Sequence, residues 1–444
     1  MSASDAGSIA IEEQRPRGLS LRGATFLGVG SMVGAGIFTL LGEAGAVAGS
    51  AVWISFLLGG FVALLMGYTV AKLGTRFPAS GGLVTFFVEG YGNGHRAGIA
   101  SWIMYFTALV VSAMVAVSFG NYASELLFED KSDFQVKTLA ALVVLAMGAV
   151  NVVGANVVEK VQTLIVLVVL TVFAVFIVAT WSDMDTDLLR RSTYPDTRYI
   201  ISSVGLTFFA FLGFAVISFT AADVEDPEKN VPRATYSALG IATVLYVLIA
   251  LGVFGTLTVA EVIGFGGTAL AEAARPSLGD AGFAMMAITA VLATTSSTNA
   301  NVYTVKEVTQ KVTEIGQFPG VMARRSPVQA SWGLVISLGL IIILSVFFDL
   351  TAIASIGSAA ALGLFLLLGM AAYRLREETN SSPLILLLAI VLTAGVLLIF
   401  VADTLDNDPD TFVAIAVIFA LAVLLEFIIS ARRQEPVEPV AATS

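Results

Sequence analysis

The chain has 444 residues, of which 57% are hydrophobic and 13% are charged, and its net charge is −10. Soluble domains are about 45–50% apolar and about 25% charged, so a cytosolic enzyme and a disordered scaffold are excluded, and the acidity disfavours a nucleic-acid partner. The chain also has no cysteine and only one histidine, His95, which excludes a thiolate metal site and a cluster of histidine metal ligands. The composition therefore predicts an all-α polytopic membrane protein without enzymatic activity.

Twelve stretches of the sequence are apolar over about the 20 residues that a helix needs to cross a bilayer. We number them as spans 1 to 12, and they lie near residues 22–46, 50–73, 97–126, 136–154, 158–181, 198–222, 234–259, 278–305, 328–349, 352–373, 382–402 and 411–431. Residues 1–20 are polar and lack the apolar core of a signal peptide, so we expect a cytoplasmic N-terminal segment there. The composition of residues 432–444 predicts a cytoplasmic tail.

The distribution of lysine and arginine predicts which side of the membrane each loop faces. With the N-terminus inside, 17 of the 23 basic residues fall in inside segments, and the outside segments hold Lys131, Lys137, Arg190, Arg191, Arg198 and Arg275. This bias satisfies the positive-inside rule and places both termini in the cytoplasm. The expected location of the protein is the plasma membrane of a prokaryote. The same topology puts 17 of the 33 acidic residues outside, most plainly at 403–410, so we expect the acidity to be an outer-surface property.

Glycine interrupts spans 1 and 6. Span 1 contains Gly28, Gly30, Gly34 and Gly36, and span 6 has Gly213 within the aromatic run 208–214. Glycine weakens a helix, and open backbone inside a bilayer is tolerated only where it is buried or lines a cavity. Close packing between helices would explain the span 1 glycines equally well. The matching position five spans later favours a binding site between two inverted five-helix repeats.

An unwound segment in span 1 predicts a site for a zwitterion. Freed N–H groups of Ala35 and Gly36 would hold a carboxylate at the positive end of the outer half-helix. Freed carbonyls near Met32 and Phe209 would accept hydrogen bonds from an ammonium group. The predicted substrate-binding residues of the two breaks are Met32, Gly34, Ala35, Gly36, Phe209, Phe211 and Gly213.

Five short motifs resemble those of the amino acid–polyamine–organocation (APC) transporters, in particular the cationic-amino-acid-transporter-like branch. They are Gly-Ala-Gly-Ile-Phe at 34–38, the span 1–2 junction at 42–58, Phe-Pro-Ala-Ser-Gly-Gly at 77–82, Phe-Ala-Phe-Leu-Gly-Phe at 209–214 and the loop at 226–234. The resemblance covers residues 22 to about 375. It implies a LeuT-type 5+5 inverted repeat with discontinuous helices 1 and 6, which moves amino acids or related amines by alternating access.

The resemblance also predicts a division of the chain. The ten-helix core would cover 21–375, with repeats at about 21–181 and 198–375, followed by spans 11 and 12 at 381–431. Ala35 stands where the family has serine, so the backbone donors remain and a hydroxyl is lost. Ala215 stands where many relatives carry an acidic residue, which favours a neutral substrate. A lysine that proton-linked or exchanging relatives carry in span 5 aligns near Val169.

A run of hydroxyl residues in span 8, at 294–298, predicts a sodium site. In sodium-coupled proteins of this fold a Thr-Ser pair on span 8 ligates Na⁺ together with span 1 carbonyls, and Thr295-Ser296 resembles that pair. The predicted ligands are the hydroxyls of Thr295 and Ser296 and the carbonyls of Gly30, Val33 and Leu292. Hydroxyls that bond back to carbonyls one turn earlier would explain the run without any ion. Sodium coupling is therefore a hypothesis, and no other cofactor is expected.

Phe209 is the predicted gate, because an aromatic ring one turn before Gly213 would lie over the substrate and exclude water. Ordinary apolar packing explains this phenylalanine equally well. Selectivity for the substrate side chain is expected from Ser112 in span 3, Asn299 in span 8, and Ser355 and Ser358 in span 10.

Glu43 and Glu426 lie within apolar spans, where a charge is costly and by default suggests a function. We expect Glu43 in a solvated outer vestibule and Glu426 at a membrane interface.

The sequence thus favours a secondary transporter for an amino acid, with Na⁺ as a candidate coupling ion. It leaves open an inorganic-ion carrier related to the cation-chloride cotransporters, and an amino acid exchanger without ion coupling. The expected partners are the small-molecule substrate and the lipid bilayer, and the oligomeric state is left open.

Overall fold

The computed structural model describes residues 19–78, 81–130, 132–153, 158–221, 224–327 and 330–431. The tail at 432–444 and all but the last two residues of the predicted N-terminal segment lie outside the described residues. In the described ranges the regular structure is helical, apart from two isolated β-bridges. The all-α polytopic fold that composition predicts is therefore confirmed.

Each of the twelve predicted spans corresponds to helical structure. The first five spans and the loop between spans 2 and 3 comprise α1 (Leu21–Ala35) and α2 (Ile37–Ala48) in span 1, α3 (Val52–Arg76), the loop helix α4 (Leu83–Tyr91), α5 (His95–Leu127), α6 (Asp133–Val153) and α7 (Val158–Asp183). Spans 6 to 12 comprise α8 (Thr197–Ala210) and α9 (Val216–Phe219) in span 6, α10 (Pro227–Thr256), the loop helices α11 (Val259–Phe265) and α12 (Ala269–Glu272), α13 (Arg275–Glu314), α14 (Trp332–Phe347), α15 (Leu350–Arg374), α16 (Pro383–Asn407) and α17 (Pro409–Ser430).

Ten helical stretches of the described chain are long and apolar enough to cross a membrane. The number is lower than twelve for two structural reasons. The outer half of span 1 continues through a 3₁₀ turn into span 2, so that residues Ile37–Arg76 form one stretch. Span 9 has only 16 helical residues.

Hydrogen bonds between loops show which span ends share a side of the membrane. The hydroxyls of Ser50 and Thr193 lie 2.7 Å apart and join the span 1–2 junction to the loop before span 6. On the opposite side, Lys72 Nζ donates to the carbonyl of Asn380 at 3.0 Å, joining the end of span 2 to the loop before span 11. These contacts fit the predicted alternation. Since each half of the core has an odd number of spans, the second half enters the membrane from the opposite side and is inverted relative to the first.

Span 6 lies at the centre of this bundle. In the segment Thr197–Phe219, 83% of its most apolar run of 18 residues is buried in the protein. The corresponding share for Pro409–Ser430 of span 12 is 17%. A site built on span 6 is therefore enclosed by protein, whereas spans 11 and 12 lie at the periphery.

The expectation that the acidity at 403–410 belongs to the surface is wrong for Asp403, which is 7% exposed. Its Oδ2 accepts a hydrogen bond from the hydroxyl of Ser202 at 2.6 Å, and its Oδ1 accepts one from the side chain of Asn407 at 3.0 Å. A buried carboxylate is tolerated when such donors replace water. Asp403 therefore joins span 11 to span 6.

Glu426, which is expected at a membrane interface, has a side chain that is fully buried in the protein. Its Oε1 lies 3.3 Å from Nδ1 of His95, at the start of span 3. Its carboxylate packs directly on Gly98 of span 3. Glu426 therefore attaches span 12 to span 3.

Candidate functional site

The predicted discontinuity of span 1 is present, but it is only one residue long. Gly36 leaves the helix with φ −96° and ψ −81°, after Ala35 ends α1 and before α2 begins. The N–H of Gly36 donates to the carbonyl of Met32 at 2.7 Å. The expected longer unwound segment, with a free Gly36 N–H, is therefore wrong for this conformation, and the N–H groups that lack an intrahelical partner lie at the start of α2.

Span 6 breaks over a longer stretch. Its first helix ends at Ala210, a 3₁₀ turn covers Leu212–Ala215, and α9 follows. The carbonyl of Ala210 accepts a hydrogen bond from the hydroxyl of Tyr246, on span 7, at 3.3 Å. The break therefore turns a backbone carbonyl toward a neighbouring span.

The two breaks pack against each other backbone to backbone. A Cβ atom built on Gly36 would lie 2.4 Å from the carbonyl oxygen of Ala210, and one on Gly213 would lie 2.3 Å from the backbone nitrogen of Met32. Real Cβ contacts are never this short, so both positions require glycine. The structure thus brings Met32, Gly36 and Gly213 together and leaves no room for a methyl group between them.

Tyr246 lies at this junction, and sequence reasoning missed it. It is fully buried, and its hydroxyl lies close to Gly36 and to the backbone of Ile37 as well as to Ala210. Its ring packs on Phe56 and Phe211, with ring centroids 5.5 and 4.9 Å apart. The only signal in the sequence was a polar aromatic residue in an apolar span. Phe211, a predicted substrate residue, packs on this tyrosine.

The predicted gate, Phe209, is 2% exposed and reaches from span 6 to span 10. Its ring lies on Gly357, where a Cβ atom would come within 2.3 Å of Phe209 Cζ, and Val110 of span 3 lies alongside. Ser355 is half-buried two residues before Gly357. Phe209 therefore closes the space between spans 3, 6 and 10.

The other predicted selectivity residues bond within the helices or away from the breaks. The hydroxyls of Ser112 and Ser358 donate to carbonyls one turn earlier, each at 2.7 Å. Asn299 accepts from the side chain of Asn151, on span 4, at 2.9 Å. The two amides therefore pair at the span 4–8 contact, and the predicted selectivity role of Asn299 stays a prediction.

A small cavity of about 10 Å³ lies between spans 1, 5 and 8, close to the least volume that admits one water-sized sphere. Three of the five predicted sodium ligands, Gly30, Val33 and Ser296, line it. Val169, which is predicted to stand near the position of the relatives' lysine, lies in its wall together with Val166. Residues of spans 1 and 8 therefore line one side of the cavity, and aliphatic residues of span 5 line the other.

The remaining predicted sodium ligands, Thr295 and Leu292, do not line this cavity. The hydroxyl of Thr295 donates to the carbonyl of Val291 at 2.7 Å, and Leu292, whose carbonyl is the predicted ligand, is 41% exposed. Thr294 and Thr298 bond back in the same way, which is the alternative explanation of the hydroxyl run. Only the serine of the Thr-Ser pair borders the cavity.

Glu43 links the outer half of span 1 to span 10. Its Oε2 accepts a hydrogen bond from the hydroxyl of Thr351 at 2.7 Å, and its side chain is half-buried. This contact holds the two spans together at the predicted outer side.

The known proteins that this chain resembles are amino acid permeases and other membrane transporters. The family described as amino acid permease matches residues 19–426. The inner membrane transport protein YbaT of Escherichia coli is 31% identical over 385 residues, which cover 86% of this chain and 89% of that protein. The serine/threonine exchanger SteT of Bacillus subtilis is 26% identical over 302 residues, covering 67% and 68%. The branched-chain amino acid permease BcaP of Bacillus subtilis is 24% identical over 269 residues, covering 57% and 58%.

Replacing Gly36 by alanine tests the contact between the breaks. The methyl group would overlap the Ala210 carbonyl and the Tyr246 hydroxyl, and overpacking of this kind costs about 1–3 kcal/mol. We expect a lower apparent melting temperature of the purified protein in detergent. Gly240→Ala is the matched control, because a Cβ atom at Gly240, on span 7, meets no atom within 4 Å. Melting of Gly36→Ala at the wild-type temperature would contradict the contact.

Proposed function

The chain belongs to the amino acid permease family and is a membrane transporter rather than an enzyme, and from this premise we propose that it moves a neutral amino acid by alternating access. The observation that carries the proposal is the meeting of the two interrupted spans, where Gly36 faces Ala210 and Gly213 faces Met32. Broken helices inside a membrane provide backbone donors and acceptors that an intact helix would use up.

The proposed substrate site lies between the two breaks. When the breaks separate, the first N–H groups of α2 become available to a carboxylate, and the positive end of this half-helix stabilises the negative charge. The carbonyls of Met32 and Ala210 become available to the ammonium group. Because glycine has no side chain, the same two backbones close again without a steric barrier. Phe209 closes the space toward spans 3 and 10.

A neutral substrate is supported by the surroundings of the span 6 break. Ala215, at the position where a carboxylate would favour a cationic substrate, is buried and apolar. The names of SteT and BcaP specify serine, threonine and branched-chain amino acids, all of which have neutral side chains. The narrower resemblance to the cationic-amino-acid branch stays a prediction.

We further propose that both termini are cytoplasmic and that the protein resides in the plasma membrane of a prokaryote. The excess of basic residues in one set of loops supports the orientation. The name of the YbaT relative places that protein in the inner membrane.

Counterflow in proteoliposomes tests the proposed function. Vesicles preloaded with an unlabelled neutral amino acid should transiently accumulate the same amino acid in radiolabelled form, whereas preloaded lysine or arginine should not drive this accumulation. Tyr246→Phe keeps the ring packing and loses one hydrogen bond, so we expect KM to rise by about tenfold. Tyr236→Phe, on the exposed side of the same span, is the control.

Two outcomes would contradict this proposal. One is chloride-dependent flux without counterflow of any amino acid, which would favour an inorganic-ion carrier. The other is counterflow with equal KM in the Tyr246→Phe and Tyr236→Phe variants, which would place the substrate away from the junction of the breaks.

We also propose Na⁺ as the coupling ion, bound in the cavity between spans 1, 5 and 8. The carbonyls of Gly30 and Val33 and the hydroxyl of Ser296 are its candidate ligands. All three oxygens are neutral, which suits a monovalent cation, and Val169 in the cavity wall carries no competing charge. Three of the five predicted ligand residues are therefore placed to hold a small cation. Binding of Na⁺ there would hold span 1 against span 8.

Replacing sodium by choline tests the coupling. We expect uptake to fall in choline, and we expect Ser296→Ala to raise the sodium concentration for half-maximal uptake about tenfold, the effect of losing one ligand oxygen. Thr298→Ala is the matched control, since its hydroxyl bonds back within span 8 and does not line the cavity. Uptake that is unchanged in choline would contradict sodium coupling and would favour amino acid exchange without an ion.

A further inference from the structure

A cavity of about 520 Å³ lies far from the breaks, between α4 and the ends of spans 3, 10 and 11. Its mouth carries two arginines, Arg96 in the first turn of span 3 and Arg374 in the last turn of span 10. Both belong to the side that the positive-inside rule assigns to the cytoplasm. The cavity has the size of a small-molecule site.

The two arginines converge on one tyrosine. The guanidinium of Arg374 lies 4.9 Å from the ring centroid of Tyr91, and the hydroxyl of Tyr91 donates to the carbonyl of Leu367 at 2.6 Å. Burial raises the pKa of Tyr91, whereas the positive charges of Arg374 and Arg96 lower it, so both guanidinium groups act at the same place. Tyr91 thus fixes α4 against span 10 with Arg374 above its ring.

The positive charge at this mouth is not neutralised by the protein around it. Among the residues that the structure describes, neither Arg96 nor Arg374 forms an ion pair with a carboxylate. Both side chains are exposed, and an anion could approach them from the membrane surface. Two unpaired guanidinium groups at one cavity favour a phosphate group, which arginine binds through parallel hydrogen bonds.

The inner part of the cavity is apolar and lies deeper in the membrane. Leu367 and Met370 of span 10, Ile99 of span 3 and Ile390 of span 11 line it. Leu367 precedes Arg374 by seven residues, which is about 10 Å along a helix. Met370 is 39% exposed, so the cavity opens sideways toward the bilayer. A ligand that fits must therefore be anionic at the surface and apolar about 10 Å below it.

We propose that this cavity binds an anionic phospholipid, with the phosphate between Arg96 and Arg374 and one acyl chain on Leu367, Met370 and Ile390. The bound lipid joins α4 to spans 3, 10 and 11. Basic pockets between spans on the cytoplasmic side are typical binding sites for anionic lipid headgroups. The assignment to the cytoplasmic leaflet rests on the orientation in the proposed function, and the binding itself does not.

Lipid titration of the purified protein in neutral detergent tests the proposal. Short-chain phosphatidylglycerol should raise the apparent melting temperature at concentrations at which matched phosphatidylcholine does not, and native mass spectrometry should show it bound. The Arg96→Gln/Arg374→Gln double variant should bind it about 30-fold more weakly. Arg324→Gln/Arg325→Gln, an exposed pair on the loop before span 9, removes the same charge and should bind like the wild type.

One further variant and one further ligand distinguish binding of a lipid from binding of a free anion. Ile390→Trp keeps both arginines and fills the apolar part of the cavity, so it should lose phosphatidylglycerol binding. Inorganic phosphate alone should not stabilise the wild type. Equal effects of phosphatidylglycerol and phosphatidylcholine, stabilisation by phosphate alone, or undiminished binding in the double variant would each overturn the proposal. Counterflow on the same preparations reports on the transport function separately, because the lipid measurement needs no substrate.

Discussion

The structure depends on the need to pair every backbone N–H and C=O group inside a bilayer. Spans 1 and 6 are interrupted where they meet, and the two breaks pack on each other backbone to backbone. Glycine at positions 36 and 213 allows the two backbones to touch, and the Tyr246 hydroxyl bonds to the free carbonyl of Ala210. Two interrupted helices, whose backbone would be unstable if exposed to lipid, are thereby held in the interior of the protein.

This constraint also accounts for the surrounding architecture. An odd number of spans in each half inverts the second half, so the two breaks can approach each other from opposite sides. The aromatic rings of Phe209 and Phe211 seal the junction against spans 3, 7 and 10, and the buried bond between Ser202 and Asp403 fixes the entry of span 6. Motion of the breaks against a rigid frame is what alternating access requires.

Hydropathy and glycine placement predicted the helical segments, their order and the positions of both breaks, because these are properties of one local segment. The rest depends on residues far apart in the chain. The pairing of Asn151 with Asn299, the burial of Asp403 and the role of Tyr246 require the packed bundle. Sequence placed Gly36 at the break correctly, but the extent of unwinding there is set by the contact with span 6.

Thiol accessibility tests most directly the claim that the breaks enclose the substrate, because the natural chain has no cysteine. A single cysteine in place of Ala215, in the span 6 break, should react with a polar maleimide as the breaks open, and a saturating neutral amino acid should slow the reaction. A cysteine in place of Ala389, buried in span 11, should stay unreactive. Labelling at position 215 that a counterflow-competent substrate leaves unchanged would contradict the account.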